Sequence, residues 1–160
     1  MNNSDKVLAY NPYVKKNIHD QEDTYDQSNH LKYINLIIND EPFDCKSYIV
    51  RSLKGKLSSY KSQDKISKKF DDEQFIKYDD LLEKLRDSNL KCYYCNIDMF
   101  LVYKNKKETR QWSLERFDNN LGHYKTNTCI SCLKCNLQRR QTNHEYFKFS
   151  KNMVIIKKKE

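Results

Sequence analysis

Glycine and proline are nearly missing from this chain, two of each in 160 residues. That scarcity excludes collagen-like repeats and Gly- or Pro-rich linker proteins. No run approaches 18 apolar residues, so no membrane-spanning helix and no membrane partner are expected. The N-terminus also lacks the order of basic start, apolar stretch and small-residue cleavage site that marks a secretory leader. Together these absences predict a soluble, intracellular protein, with cytoplasm, nucleus and a virus-associated compartment all left open. Tryptophan occurs once, so 12 Tyr and 7 Phe must supply much of the core. A chain of this length suits one small domain, or a small module carrying a helical extension.

What the chain has in quantity is charge. Thirty Lys and Arg against 22 Asp and Glu give a net charge of +8, spread through the length rather than held in a tail. A partner with a dense negative backbone, DNA or RNA, fits that balance. Six cysteines are present, and four of them form two Cys-x-x-Cys units. That spacing reads as metal binding in a reducing compartment rather than as a disulfide framework.

Periodicity divides the chain into three parts. Residues 1–28 are polar and read as a flexible arm. Residues 29–73 read as a helical extension and linker. Leu31, Ile34 and Ile38 mark a helix ending near Asn39, and Tyr48, Ile49, Leu53, Leu57 and Tyr60 line one side of a second over about Lys46 to Lys61. The charged stretch from Ser62 to Glu73 reads as a link. Residues 74–160 read as a compact module with a C-terminal fold-back. Its first helix begins at Asp79 or Asp80 and turns Leu81, Leu82 and Leu85 inward. Met99 to Tyr103 and Trp112 to Phe117 read as strands, Thr128 to Ser131 as a further extended piece, and Leu133 to Gln141 as a helix. The fold class is therefore α+β.

Cys92-x-x-Cys95 and Cys132-x-x-Cys135 are the strongest signal in the chain. Two thiolates held two residues apart by a tight knuckle grip a metal ion from one side, and a second such pair completes a tetrahedron. The expected ion is structural Zn2+, since four protein ligands leave no open position for water. A thioredoxin-type Cys-x-x-Cys would occur once, in a parallel α/β setting that this pattern lacks. Cys129 reads as a small core residue with a lesser claim to be a ligand, and Cys45 as buried.

Between the pairs runs Trp112-Ser113-Leu114-Glu115-Arg116-Phe117-Asp118-Asn119-Asn120-Leu121-Gly122-His123, continuing through Asn127 to Cys132-Leu133-Lys134-Cys135-Asn136. Over about residues 90–141 the chain resembles the HNH, or ββα-metal (His-Me finger), endonucleases, in the zinc-containing branch related to phage recombination endonuclease VII. The resemblance implies a small ββα-metal module with a four-Cys zinc knuckle, preceded here by the α-helical extension. It also implies a catalytic divalent ion, Mg2+ or Mn2+, separate from the zinc. By position, Glu115 matches the acidic ligand of that ion and Asn136 the ligand in the following helix. Asn127 matches the middle Asn, which braces the loop. Products would carry a 5′-phosphate and a 3′-hydroxyl.

Arg116 occupies the place of the family's general-base His. A guanidinium stays protonated and cannot take a proton from water, so the expected role of Arg116 is to clamp the phosphate. His123, behind a glycine in the same loop, is the nearest candidate base. The alternative is activation of water by the metal alone. Lys134, Arg139 and Arg140 are the expected phosphate contacts along the helix. The expected activity is a metal-dependent DNA endonuclease, structure-directed or weakly sequence-specific. Branched or nicked DNA are candidate substrates, RNA stays open, and the amphipathic helix offers a surface for a homodimer. The competing expectation is a catalytically inactive HNH-derived protein that binds or packages nucleic acid.

Overall fold

The computed structural model describes residues 22–153, a mixed α+β arrangement of five α-helices and a two-stranded antiparallel sheet. Helix α1 spans Gln27–Ile38, α2 Lys46–Ile66, α3 Tyr78–Asp87, α4 Leu133–Arg139 and α5 His144–Asn152. Strands β1 and β2 span Trp112–Arg116 and Thr128–Cys132. No helix among the described residues is long and apolar enough to cross a membrane.

Helices α1, α3 and α5 have a local reason to start where they do. Asp26 caps α1 by accepting from the Ser28 amide at 2.9 Å, satisfying one of the donors a helix start leaves open. Helix α3 carries Asp79 and Asp80 in its first turn and Lys84 and Arg86 in its last, the order that the helix dipole favours. Asn143 caps α5 through the Glu145 and Tyr146 amides.

Residues 22–28, expected to belong to an arm, are part of the fold. A 3-10 turn at Glu22–Tyr25 precedes α1, and the Thr24 carbonyl accepts from His30 Nε2 at 3.2 Å. Residues 1–21 lie outside the described residues, as do Val154, Ile155 and Ile156 of the expected C-terminal fold-back.

Two expectations need correction. Helix α2 does not end at Lys61 but continues to Ile66, so the first residues of the expected link are helical. Their reason is a polar one: Asp64, at 0% exposure, is turned into the fold. Met99 to Tyr103 is not a strand. Its backbone groups are satisfied one at a time by scattered partners instead of a neighbouring strand. The Leu101 amide donates to His30 Nδ1 at 3.0 Å, and the Leu101 carbonyl accepts from the Trp112 indole at 3.0 Å. Met99 and Phe100 bond the backbones of Leu90 and Arg110.

The sheet is short but fully registered, with Trp112 opposite Cys132, Leu114 opposite Ile130 and Glu115 opposite Cys129. Alternation sorts its faces. Trp112 turns to α2, where Lys56 Nζ sits 4.3 Å from its ring centroid. Ser113 and Glu115 turn to α4, bonding Asn136 and Arg139. A hydrophobic core runs through all of these elements, joining Ile34, Ile49 and Leu53 to Leu81, Leu85, Met99, Trp112, Leu114 and Phe147. Helix α5 closes it by setting Phe147 edge-on against Tyr94, with centroids 5.0 Å apart.

This shared core predicts that Leu53→Ala, at a fully buried site in α2, lowers stability by about 2–5 kcal/mol. Urea unfolding followed by Trp112 fluorescence and by circular dichroism should give one coincident transition at a lower midpoint. An unchanged Trp112 transition would mean that α2 and the sheet do not unfold together.

Candidate functional site

The four cysteines of the two pairs converge. Their sulfurs all lie within 4.8 Å of one another, with Cys95 and Cys132 at 3.9 Å. Four ligands about 2.3 Å from a central ion stand about 3.8 Å apart, so the group can hold one metal ion. The first pair sits on a tight turn. The Asn96 amide donates to the Cys92 carbonyl at 2.9 Å, and Asn96 takes a left-handed φ of 56°, a conformation Asn tolerates better than most residues. The second pair straddles a junction: Cys132 ends β2 and caps α4, its sulfur accepting from the Cys135 amide at 3.4 Å. Cys129 stands three residues before Cys132 in β2, on the opposite face of the strand, and is not in the group. Burial pushes its thiol up to about 12.

Beside β1 lies a cavity of about 290 Å³, lined by Tyr60 and Gln63 of α2, Leu114, Glu115 and Arg116 of β1, Asn119 and His123 of the following loop, and Asn136, Leu137 and Arg140 of α4. Glu115, Arg116, His123, Asn136 and Arg140 are thus brought to one place. A larger recess of about 660 Å³ shares Asn119 with it and is lined by Lys69, Asn120, Gln141, Thr142 and Asn143 among others.

Asn127 is outside the cavity and braces the loop. Its Nδ2 donates to the carbonyls of Asp118 at 2.9 Å and Gly122 at 3.0 Å, and its Oδ1 accepts from the Asp118 amide at 2.9 Å. Gly122 is required by close packing: a Cβ there would lie 2.5 Å from the Lys69 carbonyl and 2.9 Å from Asp64 Oδ2. The next residue, His123, is 3% exposed. Both Asp64 oxygens serve it, Oδ2 accepting from its amide at 2.6 Å and Oδ1 meeting Nδ1 at 2.7 Å. The Tyr60 ring packs on the imidazole at 4.7 Å. Burial holds the His123 pKa below its ordinary value despite the raising effect of Asp64, and Arg116 adds to the lowering. Arg116 Nη1 donates to the Leu121 carbonyl at 3.2 Å and stands 3.9 Å from Asp64.

Glu115 is 4% exposed, and one of its oxygens accepts from Arg139 Nε. Burial raises its pKa, outweighing the lowering by Arg139. Arg139 is the one expected phosphate contact that must be withdrawn. At 2% exposure it faces inward, donating to the carbonyls of Thr142 at 2.8 Å and Arg116 at 2.6 Å and to Asn119 Oδ1 at 2.9 Å. Without it Glu115 would be a buried charge that has lost its hydrogen-bonded counterion. Lys134 and Arg140 are exposed. Asn136 Nδ2 donates to Ser113 Oγ at 3.2 Å, which leaves its carbonyl oxygen for another partner.

Asp64 is the functional residue that sequence reasoning missed, although a signal existed. Leu53, Leu57 and Tyr60 mark the inward stripe of α2, and the next position on that stripe is Asp64. Compared with known proteins, the chain matches no family model, no curated protein and no solved structure.

The packing around Gly122 predicts that Gly122→Ala destabilises the fold by about 1–3 kcal/mol. Gly55→Ala, where nothing lies within 4 Å of an added Cβ, should instead be neutral or stabilising by up to about 1 kcal/mol. Chemical denaturation of the two variants side by side checks the pair. Equal effects would contradict the close approach of Asp64 and Lys69.

Proposed function

We propose that this protein is a metal-dependent nuclease of the HNH type, hydrolysing phosphodiester bonds in DNA, with Zn2+ held by Cys92, Cys95, Cys132 and Cys135 as a structural ion. The observation that carries the reading is the cavity beside β1, where a buried histidine with a lowered pKa shares the lining with two arginines, a carboxylate and three carboxamides.

The chemistry follows from those groups. A neutral imidazole accepts a proton from water near pH 7, so His123 serves as the base. Water attacks phosphorus, its proton passes to His123, the bond to the 3′-oxygen breaks, and that oxygen is protonated from solvent. Arg116 and Arg140 face the phosphate and offset the charge that develops on it. The free oxygen of Glu115 and the carbonyl oxygen of Asn136 are hard donors suited to Mg2+ or Mn2+. When bound, such an ion polarises the phosphodiester. The adjoining polar recess with Lys69 gives a polymer room to continue past the reacting phosphate, and exposed Lys134 adds a backbone contact.

The engagement of Glu115 by Arg139 favours a second reading, an HNH-derived protein that binds nucleic acid without cutting it. A carboxylate already neutralised by a buried arginine attracts a divalent ion less strongly.

Plasmid nicking separates the two. The nuclease reading predicts cleavage that requires Mg2+ or Mn2+, falls by about 10²–10⁴-fold in His123→Ala, and is lost in Glu115→Ala. Salt-sensitive DNA retention with no cleavage under either ion would establish the binder instead.

The pH profile is a further check. Because the folded pKa of His123 lies below the ordinary 6.5, the base form persists on the acid side of that value. The acid limb of the rate profile should therefore be centred below 6.5. An acid limb centred above 6.5 would contradict His123 as the base.

A further inference from the structure

We infer that Asp64, delivered by the last turn of α2, is the positioning residue that sets His123 for catalysis by fixing which ring nitrogen carries the proton. The inference rests on the nuclease reading and adds to it a residue far upstream of the HNH-like segment.

A carboxylate only accepts hydrogen bonds. Asp64 Oδ1 lies 2.7 Å from His123 Nδ1, so the proton of the neutral ring belongs on Nδ1, and the lone pair falls on Nε2 at the opposite edge. His123 lines the cavity beside β1. The second carboxylate oxygen accepts from the His123 amide at 2.6 Å, which ties backbone and side chain to one anchor. Ile76 donates to the His123 carbonyl at 3.0 Å, and the Tyr60 ring limits rotation of the imidazole.

The arrangement has a consequence for the reacting state as well. Once His123 Nε2 has taken a proton from water, the imidazolium stands beside Arg116, a like charge that disfavours it. Asp64 faces both groups, at 2.7 Å from His123 and 3.9 Å from Arg116, and supplies the negative charge that lets the imidazolium form. Asparagine cannot replace it. With its oxygen accepting from the His123 amide, an asparagine would turn its Nδ2 donor to the ring and hold the proton on Nε2 instead.

The test uses the full chain, zinc-loaded, as wild type and as Asp64→Asn. Long-range ¹H–¹⁵N correlation spectra of the imidazoles, with His123 assigned by His123→Gln, read the tautomer directly. The wild type should show His123 protonated on Nδ1, and Asp64→Asn should lose that preference. Plasmid nicking by Asp64→Asn should fall at least about 100-fold in kcat, with KM little changed and zinc content intact. Wild-type His123 carrying its proton on Nε2 would overturn the inference, as would an Asp64→Asn variant that nicks at the wild-type rate. The wild-type tautomer is read without Asp64→Asn, so poor folding of that variant leaves the inference open to refutation. A wild-type chain that cleaves nothing sinks the nuclease reading alone, and the tautomer then decides the role of Asp64.

Discussion

Four sulfurs within 4.8 Å of one another are the constraint on which the rest of the structure hangs. One pair sits on the turn after α3 and the other at the point where β2 becomes α4, so an ion held between them locks a turn to a strand–helix junction. Neither of the elements it joins is self-sufficient. A seven-residue helix is too short to persist alone in water, and a two-stranded sheet is marginal without a partner. Cys132 ends the strand and caps the helix at once, so its position fixes the angle at which α4 leaves the sheet. That angle lays Asn136 and Arg139 against Ser113 and Glu115 of β1. Binding an ion to four thiolates releases enough free energy to organise a small module of this kind.

Around that frame the buried charges are arranged in compensated groups. Glu115 faces Arg139, which directs three further N–H donors at two carbonyls and Asn119. Asp64 faces His123 and Arg116. Breaking such a group by removing one partner costs about 3–5 kcal/mol, because the charge left behind stays buried. The two groups meet at β1, where Glu115 and Arg116 are neighbours in the chain. They account for a wall that is polar and yet rigid, a combination suited to holding a phosphate in one orientation.

How much of this could be read from the residues depends on whether the partner was apolar. Helices α1 and α3 follow their leucine and isoleucine spacing, and the inward face of α2 was legible from Ile49 to Tyr60 for the same reason. The cysteine pairs were legible because metal geometry imposes a spacing that little else requires. The end of α2 was hidden because what it buries is a carboxylate, and a charged residue in a polar stretch reads as solvated surface. Arg139 was hidden in the same way: nothing local distinguishes an arginine that points at DNA from one that neutralises Glu115. Met99 to Tyr103 failed for the opposite reason. Its run of apolar residues satisfies a strand pattern, but its backbone groups are bonded by His30 and Trp112 side chains that no local rule anticipates. The family resemblance pointed to Glu115 and Asn136, and proximity in the chain to His123; all three line the cavity beside β1, while the residue that holds His123 came from α2.

X-ray absorption at the zinc edge on freshly purified, reduced protein tests the central constraint most directly. The account predicts one zinc per chain with four sulfur neighbours at about 2.3 Å. A first shell containing nitrogen or oxygen, or a reduced protein that folds fully without metal, would contradict it.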